Sequence, residues 1–101
     1  MPKFLVEGTY TESGLHALRN DKASGRKQKV SQLASTVGAK VDAIYYAFGD
    51  RDIICICDCP DNTSAAALAL AASGSGLVRV RTTPLLTVEE ADKALAKEVK
   101  Y

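Results

Sequence analysis

Lys40 to Asp58, KVDAIYYAFGDRDIICICD, is the stretch whose reading decides the fold. Apolar, β-branched and aromatic residues crowd both of its arms, with Val41, Ile44, Tyr45, Tyr46 and Phe48 before the centre and Ile53, Ile54 and Ile56 after it. Between the arms, Ala47-Phe48-Gly49-Asp50-Arg51-Asp52 carries a Gly-Asp pair, the short-range signature of two strands joined by a tight turn. The rest of the chain is read as packing onto this hairpin.

Toward the N-terminus, Lys3 to Tyr10 alternates as a strand, with Phe4, Val6, Gly8 and Tyr10 on one side and Leu5, Glu7 and Thr9 on the other. Gly8 marks either a bulge or a close backbone approach. Thr11 offers an N-cap, and Leu15, Leu18, Val30, Leu33, Ala34 and Val37 thread one helical stripe. Ser24-Gly25 is its weak point, so the pattern predicts a helix after Gly25 preceded by a shorter one. The exposed face would carry Arg26, Lys27, Gln28, Lys29 and Gln32, and Gly38 would end the helix as a C-cap glycine.

Toward the C-terminus, Pro60 breaks the strand, Asp61 supplies an N-cap, and the alanine-rich run Ser64 to Ala72 makes a helix with small side chains that can lie close to a sheet. Ser73-Gly74-Ser75-Gly76 terminates it. Leu77 to Thr83 alternates again, Val78 and Val80 against Arg79 and Arg81, as a fourth strand whose pairing Pro84 should limit. Thr87-Val88-Glu89-Glu90 is a capping box opening a short helix through about Lys97.

The order β-α-β-β-α-β plus a terminal helix predicts a single α+β domain over residues 1–101, with ferredoxin-like topology. Two right-handed crossovers place both longer helices on one face of a four-stranded antiparallel sheet. A sheet with one wet face should alternate apolar and polar residues, yet Ile53-Ile54-Cys55-Ile56-Cys57 is apolar throughout. The second face is therefore expected to be covered, by another copy of the chain.

Composition bounds the function classes. The 101 residues are 47% hydrophobic and 25% charged with a net charge of +1, which fits a globular domain and gives no basic stripe for nucleic acid beyond Arg26 to Lys29. No apolar run is long enough to cross a membrane, and the opening Met1-Pro2-Lys3-Phe4-Leu5-Val6-Glu7 has no signal-peptide apolar region. Cys55, Cys57 and Cys59 are odd in number and too close for a disulfide framework. The expectation is a cytoplasmic protein in a reducing compartment.

Each chemistry-bearing group has two readings. Asp50 and Asp52 flank Arg51 at the turn, placed to bind a metal or act as acid and base or, alternatively, for Asp50 to bond turn amides and Asp52 to pair with Arg51 or a lysine. Gly49 would let a ligand approach the backbone. The cysteines would share one strand face at about 6.6 Å intervals, as a soft-metal set or as small buried hydrophobes. Packing is preferred and no metal site is assigned, with Cys59 the most exposed of the three. His16, the lone histidine, is a weak catalytic candidate. Tyr10, Tyr45 and Tyr46 either surround a pocket or fill the core. Arg79 and Arg81 either clamp a carboxylate or phosphate or pair with Glu7, Asp50 or Asp58. The Ser-Gly-Ser-Gly run follows a helix and lacks a lysine, so it is no phosphate loop.

The chain resembles the GYD family of small proteins, over nearly its whole length. The likeness is carried by Lys3-Phe4-Leu5-Val6-Glu7-Gly8-Thr9-Tyr10-Thr11, Ala43 to Asp52, Pro60-Asp61-Asn62 with its alanine-rich helix, and Arg81-Thr82-Thr83-Pro84-Leu85-Leu86-Thr87. It departs at the name-giving motif, where Gly49-Asp50-Arg51-Asp52 lacks the aromatic residue between glycine and aspartate. The resemblance implies a dimeric α/β-barrel assembly and no particular chemistry. The leading expectation is a homo-oligomer that binds a small ligand or partner and needs no cofactor. The alternatives are a cofactor-independent enzyme of the dimeric barrel type, with His16, Tyr10 and Tyr45 in one cavity, and a regulatory interaction module.

Overall fold

β-Branched and aromatic residues at alternate positions make strands here, and the alanine-rich and lysine-rich stretches between them make helices. The structure, a computed structural model, describes residues 1–100. Its elements are β1 (Lys3–Tyr10), α1 (Glu12–Ser35), β2 (Lys40–Tyr46), β3 (Ile53–Asp58), α2 (Asn62–Gly74), β4 (Val78–Leu85) and α3 (Val88–Ala96). The four strands form one sheet in the order β2-β3-β1-β4, with every neighbouring pair antiparallel. This is the α+β ferredoxin-like arrangement: α1 lies over β2 and β1, and α2 over β4.

Each helix starts where a short polar side chain satisfies amides that lack a helical partner. The Thr11 hydroxyl accepts from the Gly14 amide at 3.1 Å, the Asp61 carboxylate from the Ser64 amide at 2.7 Å, and Thr87 and Glu90 form a reciprocal capping box. The Ser64 contact holds the Asp61 carboxyl below its ordinary range. Gly38 takes φ 73° just past the end of α1, where a side chain would be strained.

The expected weak point in α1 lies elsewhere than its sequence suggests. Gly25 stays within the helix, and the break falls at Lys22, with φ 64° and ψ 165°. Tertiary contacts hold it there. Asp21 before the break receives Lys29 at 3.0 Å and Arg26 at 3.6 Å from beyond it, and the Tyr46 hydroxyl donates to the Ala23 carbonyl at 3.2 Å. Arg26 is consequently half-buried, a correction to its expected place on the exposed face, whereas Leu15 faces solvent.

Register decides which side chains enter the core. Val41 pairs with Cys57 but Ala43 with Ile56, so Asp42 is an inserted residue and β2 is bulged there. Beyond the bulge the alternation inverts: Ile44 and Tyr46 join Cys55 and Ile53 on the helix side, and Tyr45 joins Ile54 on the open side. The bulged Asp42 meets Lys3, which also binds Asp58 at 2.9 Å, and this pairing holds the Asp42 carboxyl low. Pro84 does not end β4: it stays in register opposite Phe4, tolerated because β4 is an edge strand.

The core is Phe4, Tyr10, Ala34, Ala39, Ile53, Cys55, Cys57, Cys59, Ala65 and Val78, on the helix side of the sheet. Cys59, expected to be the most exposed cysteine, is 1% exposed, because its amide bonds the Pro2 carbonyl and draws it under the first strand. Gly8 is a close approach and no bulge: a Cβ there would lie 2.8 Å from methyl groups of Ile53 and Val78.

Candidate functional site

The helices sit over different parts of the sheet and leave a cleft of about 270 Å³ between them, floored by Val6 and Gly8 of β1 and by Cys55 and Cys57 of β3. Small residues create the space. Ala65, Ala69 and Ala72 on α2 and Ala34 on α1 present methyl groups where larger side chains would meet, and Leu68 and Val30 close the sides. A cavity of about 150 Å³ accepts benzene, so this one has room for a bicyclic aromatic or a branched aliphatic molecule.

Two polar groups meet at one end. Tyr10 and Arg26 line the cleft there, and Tyr46 neighbours Tyr10. Burial, reinforced by Tyr46 and opposed by the Arg26 guanidinium, pushes the Tyr10 phenol up to about 12, so it remains a neutral hydrogen-bond donor across ordinary pH. Tyr46 is raised as well, chiefly by burial. Away from that end, opposite Val6, Thr82 contributes a buried hydroxyl oxygen that has no hydrogen-bond partner among the described residues. A guanidinium, a phenol and an unpaired hydroxyl on otherwise apolar walls suit a ligand with one polar or anionic group and a hydrocarbon body.

The three cysteines are free and line this cleft. Burial pushes the Cys55 thiol up to about 11 and the Cys57 thiol to about 12, where neighbouring Cys55, Cys59, Asp42 and Asp58 add to the effect. Cys59 is raised chiefly by burial. Such thiols are neutral packing groups at ordinary pH and poor nucleophiles.

The residues singled out from sequence are divided between two faces. Tyr10 and Tyr46 come together at the polar end of the cleft, whereas Tyr45, 68% exposed, stands on the opposite side of the sheet with Arg79 and Arg81. His16 is exposed on the first turns of α1, so the single cavity envisaged for His16, Tyr10 and Tyr45 is not assembled. Gly49 and Asp50 are exposed in the turn. Asp52 secures that turn instead, its carboxylate accepting from the Tyr10 amide at 2.9 Å while its own amide donates to the Gly8 carbonyl at 2.9 Å. Glu7 faces Arg81 in register but is nearest Arg51, at 3.9 Å, and neither Arg79 nor Arg81 forms an ion pair among the described residues.

Sequence reasoning does not mark Arg26 or Thr82 as site residues, and it weighs the cysteines as packing or a soft-metal set and not as the floor of a cleft. The only signal for Arg26 was a glycine beside it, and Thr82 looked like any strand threonine.

Among the described residues no helix is long and apolar enough to cross a membrane, and no cluster of three His, Cys, Asp or Glu could hold a metal ion. No curated protein and no solved structure gives a significant match to the chain. The family model of the GYD domain matches residues 4–95, nearly the whole sequence and every element from β1 to α3, and on that match the chain belongs to the GYD domain family.

Proposed function

We propose that this protein binds a small, largely apolar organic molecule carrying one anionic or hydrogen-bond-accepting group, and that it does so as a homo-oligomer. One observation carries the ligand reading: a cleft of about 270 Å³ whose walls are largely apolar and which has Tyr10 and Arg26 together at one end. The hydrocarbon body would lie over Val6, Cys55 and Cys57, and the polar group would meet the Arg26 guanidinium and the Tyr10 hydroxyl. Among the described residues that line the cleft there is no histidine, and its Cys55 and Cys57 thiols are raised by burial, which favours binding over covalent catalysis. Buried free thiols support a reducing, cytoplasmic setting.

The test uses calorimetric titration with 1-naphthoate and its neutral counterpart 1-naphthalenemethanol. Both should bind saturably, the carboxylate more tightly, and Arg26→Gln should abolish the difference. Ala72→Phe, which fills the space between α2 and the sheet, should remove binding of both. Absence of saturable binding, or binding unaffected by Ala72→Phe, would overturn the reading.

The oligomer reading is supported by the open face of the sheet, where Leu5, Ala43, Tyr45, Ile54 and Ile56 form an apolar centre. Charges flank it at both ends, Arg51, Arg79 and Arg81 with Glu7 at one and a balanced set of Lys3, Lys40, Asp42 and Asp58 at the other. An apolar centre inside a charged rim is the composition of a protein interface. A second copy turned end for end would set the arginine-rich end of each sheet over the other's charge-balanced end and keep arginine from facing arginine. Ile54→Asp should dissociate the assembly; an Ile54→Asp protein that stays associated in sedimentation would defeat this.

A further inference from the structure

The terminal helix α3 has a strong start signal and nothing to pack on. Val88, Ala91 and Leu95 recur at i, i+3 and i+7 and so form one apolar stripe. Yet Val88 is 75% and Leu95 83% exposed, and among the described residues no other element packs closely along the helix. An isolated helix of nine residues is marginal in water even when well capped, because helical stability in proteins comes mostly from packing of an apolar face. The stripe therefore calls for a partner that its own chain does not supply.

Charge identifies that partner. Glu90 is engaged in the capping box, while Glu89 and Asp92, three residues apart on one side of α3, form no ion pair among the described residues. The complementary feature lies on the same chain at the far end of β4. Arg51, Arg79 and Arg81 converge on a groove of about 400 Å³ on the open face, shared with Thr9 and Asp50, and Arg79 and Arg81 form no ion pair among the described residues. Within one molecule the two features cannot meet, because α3 leaves β4 beyond Leu85, opposite Lys3, whereas Arg79 lies opposite Thr9. In two copies related by the end-for-end rotation they coincide, and the contact is made twice.

We propose that α3 is a docking arm for a second copy of this chain, its apolar stripe lying against the partner copy's open sheet face along β4 with Glu89 and Asp92 facing that copy's Arg79 and Arg81. The proposal rests on the face-to-face association proposed above and adds a reciprocal clamp to it. The arm extends the apolar contact beyond the sheet and provides carboxylates for arginines that would otherwise be covered without them.

The experiment is sedimentation equilibrium of the full chain in low salt, with thermal melting of each variant to confirm folding. α3 is exposed, so its variants should melt as folded monomers or dimers. Glu89→Lys with Asp92→Lys should weaken dimerisation at least about tenfold, as should Arg79→Glu with Arg81→Glu, by setting like charges against each other. All four changes in one chain should recover the dimer, an outcome that a purely structural effect of either pair would not give. Loss of dimer in Ile54→Asp with no effect of the α3 changes would leave the sheet contact standing and overturn the arm. A wild-type chain that remains monomeric would overturn both.

Discussion

Gly14→Ala tests the tightest joint in the fold. A Cβ on Gly14 would lie 1.8 Å from the Leu77 carbonyl oxygen and 2.8 Å from its carbon, both backbone atoms with no rotamer to yield. An ordinary carbon–oxygen contact is about 3.3 Å, so α1 and the segment before β4 must separate by roughly 1.5 Å. That movement breaks a specific set of bonds: the Thr11 amide to the Leu77 carbonyl at 3.0 Å, and the Thr11 hydroxyl to the Gly76 carbonyl at 2.7 Å and the Leu77 carbonyl at 3.2 Å. At about 1 kcal/mol each these account for about 2–3 kcal/mol, and the overpacking strain adds about 1–3. The better helix propensity of alanine returns about 1 kcal/mol, leaving a net loss of about 3 kcal/mol. Against a total stability of about 5–15 kcal/mol this is large, corresponding to a fall in Tm of roughly 12–24 °C. Urea unfolding followed by circular dichroism should show the midpoint falling with little change in slope. Gly25→Ala is the control, since its Cβ would meet only the Asp21 Cβ at 3.6 Å; it should raise stability by about 0.5–1 kcal/mol. A Gly14→Ala protein that melts with wild type would refute the argument.

Lys22 holds a backbone conformation that only glycine adopts readily, so Lys22→Gly should stabilise the chain by about 1 kcal/mol in the same urea assay; destabilisation would mean that the lysine side chain is needed there. Tyr46→Phe removes the hydrogen bond to Ala23 at the kink and should cost about 1 kcal/mol, with faster amide exchange in the residues following Lys22. Stability should fall as pH rises from about 9 toward 11–12, because the Cys55 and Cys57 thiols ionise near 9 in the unfolded chain but only near 11 and 12 when buried, so the unfolded state loses protons first. Cys57→Ala should flatten that part of the Tm–pH curve, and an unchanged slope would show that the thiols do not drive it.

Much of the architecture was written locally. The alternation in Lys3–Tyr10, the caps at Thr11 and Asp61, the capping box at Thr87 and the hairpin around Gly49-Asp50 each depend on residues a few positions apart, and each element formed where those signals stood. The site was much less legible. Tyr45 and Tyr46 are chemically alike and adjacent, and only the bulge at Asp42 sends Tyr46 to the helix side and Tyr45 to the open face. That bulge is coupled to Lys3, 39 residues away, which no local pattern encodes. Arg26 reached the cleft through a break at Lys22 that is held by Asp21 and Tyr46, while the obvious glycine nearby remained helical.

The sequence by itself determined the order of elements, their caps, the apolar character of both sheet faces and membership of a family with this topology, because periodicity and capping act over one or two turns of chain. Only the tertiary structure decided which of Tyr45 and Tyr46 faces the helices, that all three cysteines line the cleft, and that α3 has no close packing partner among the described residues. Those outcomes depend on strand register and on the space left between helices, quantities fixed by contacts between residues far apart in sequence and shifted by a single inserted residue.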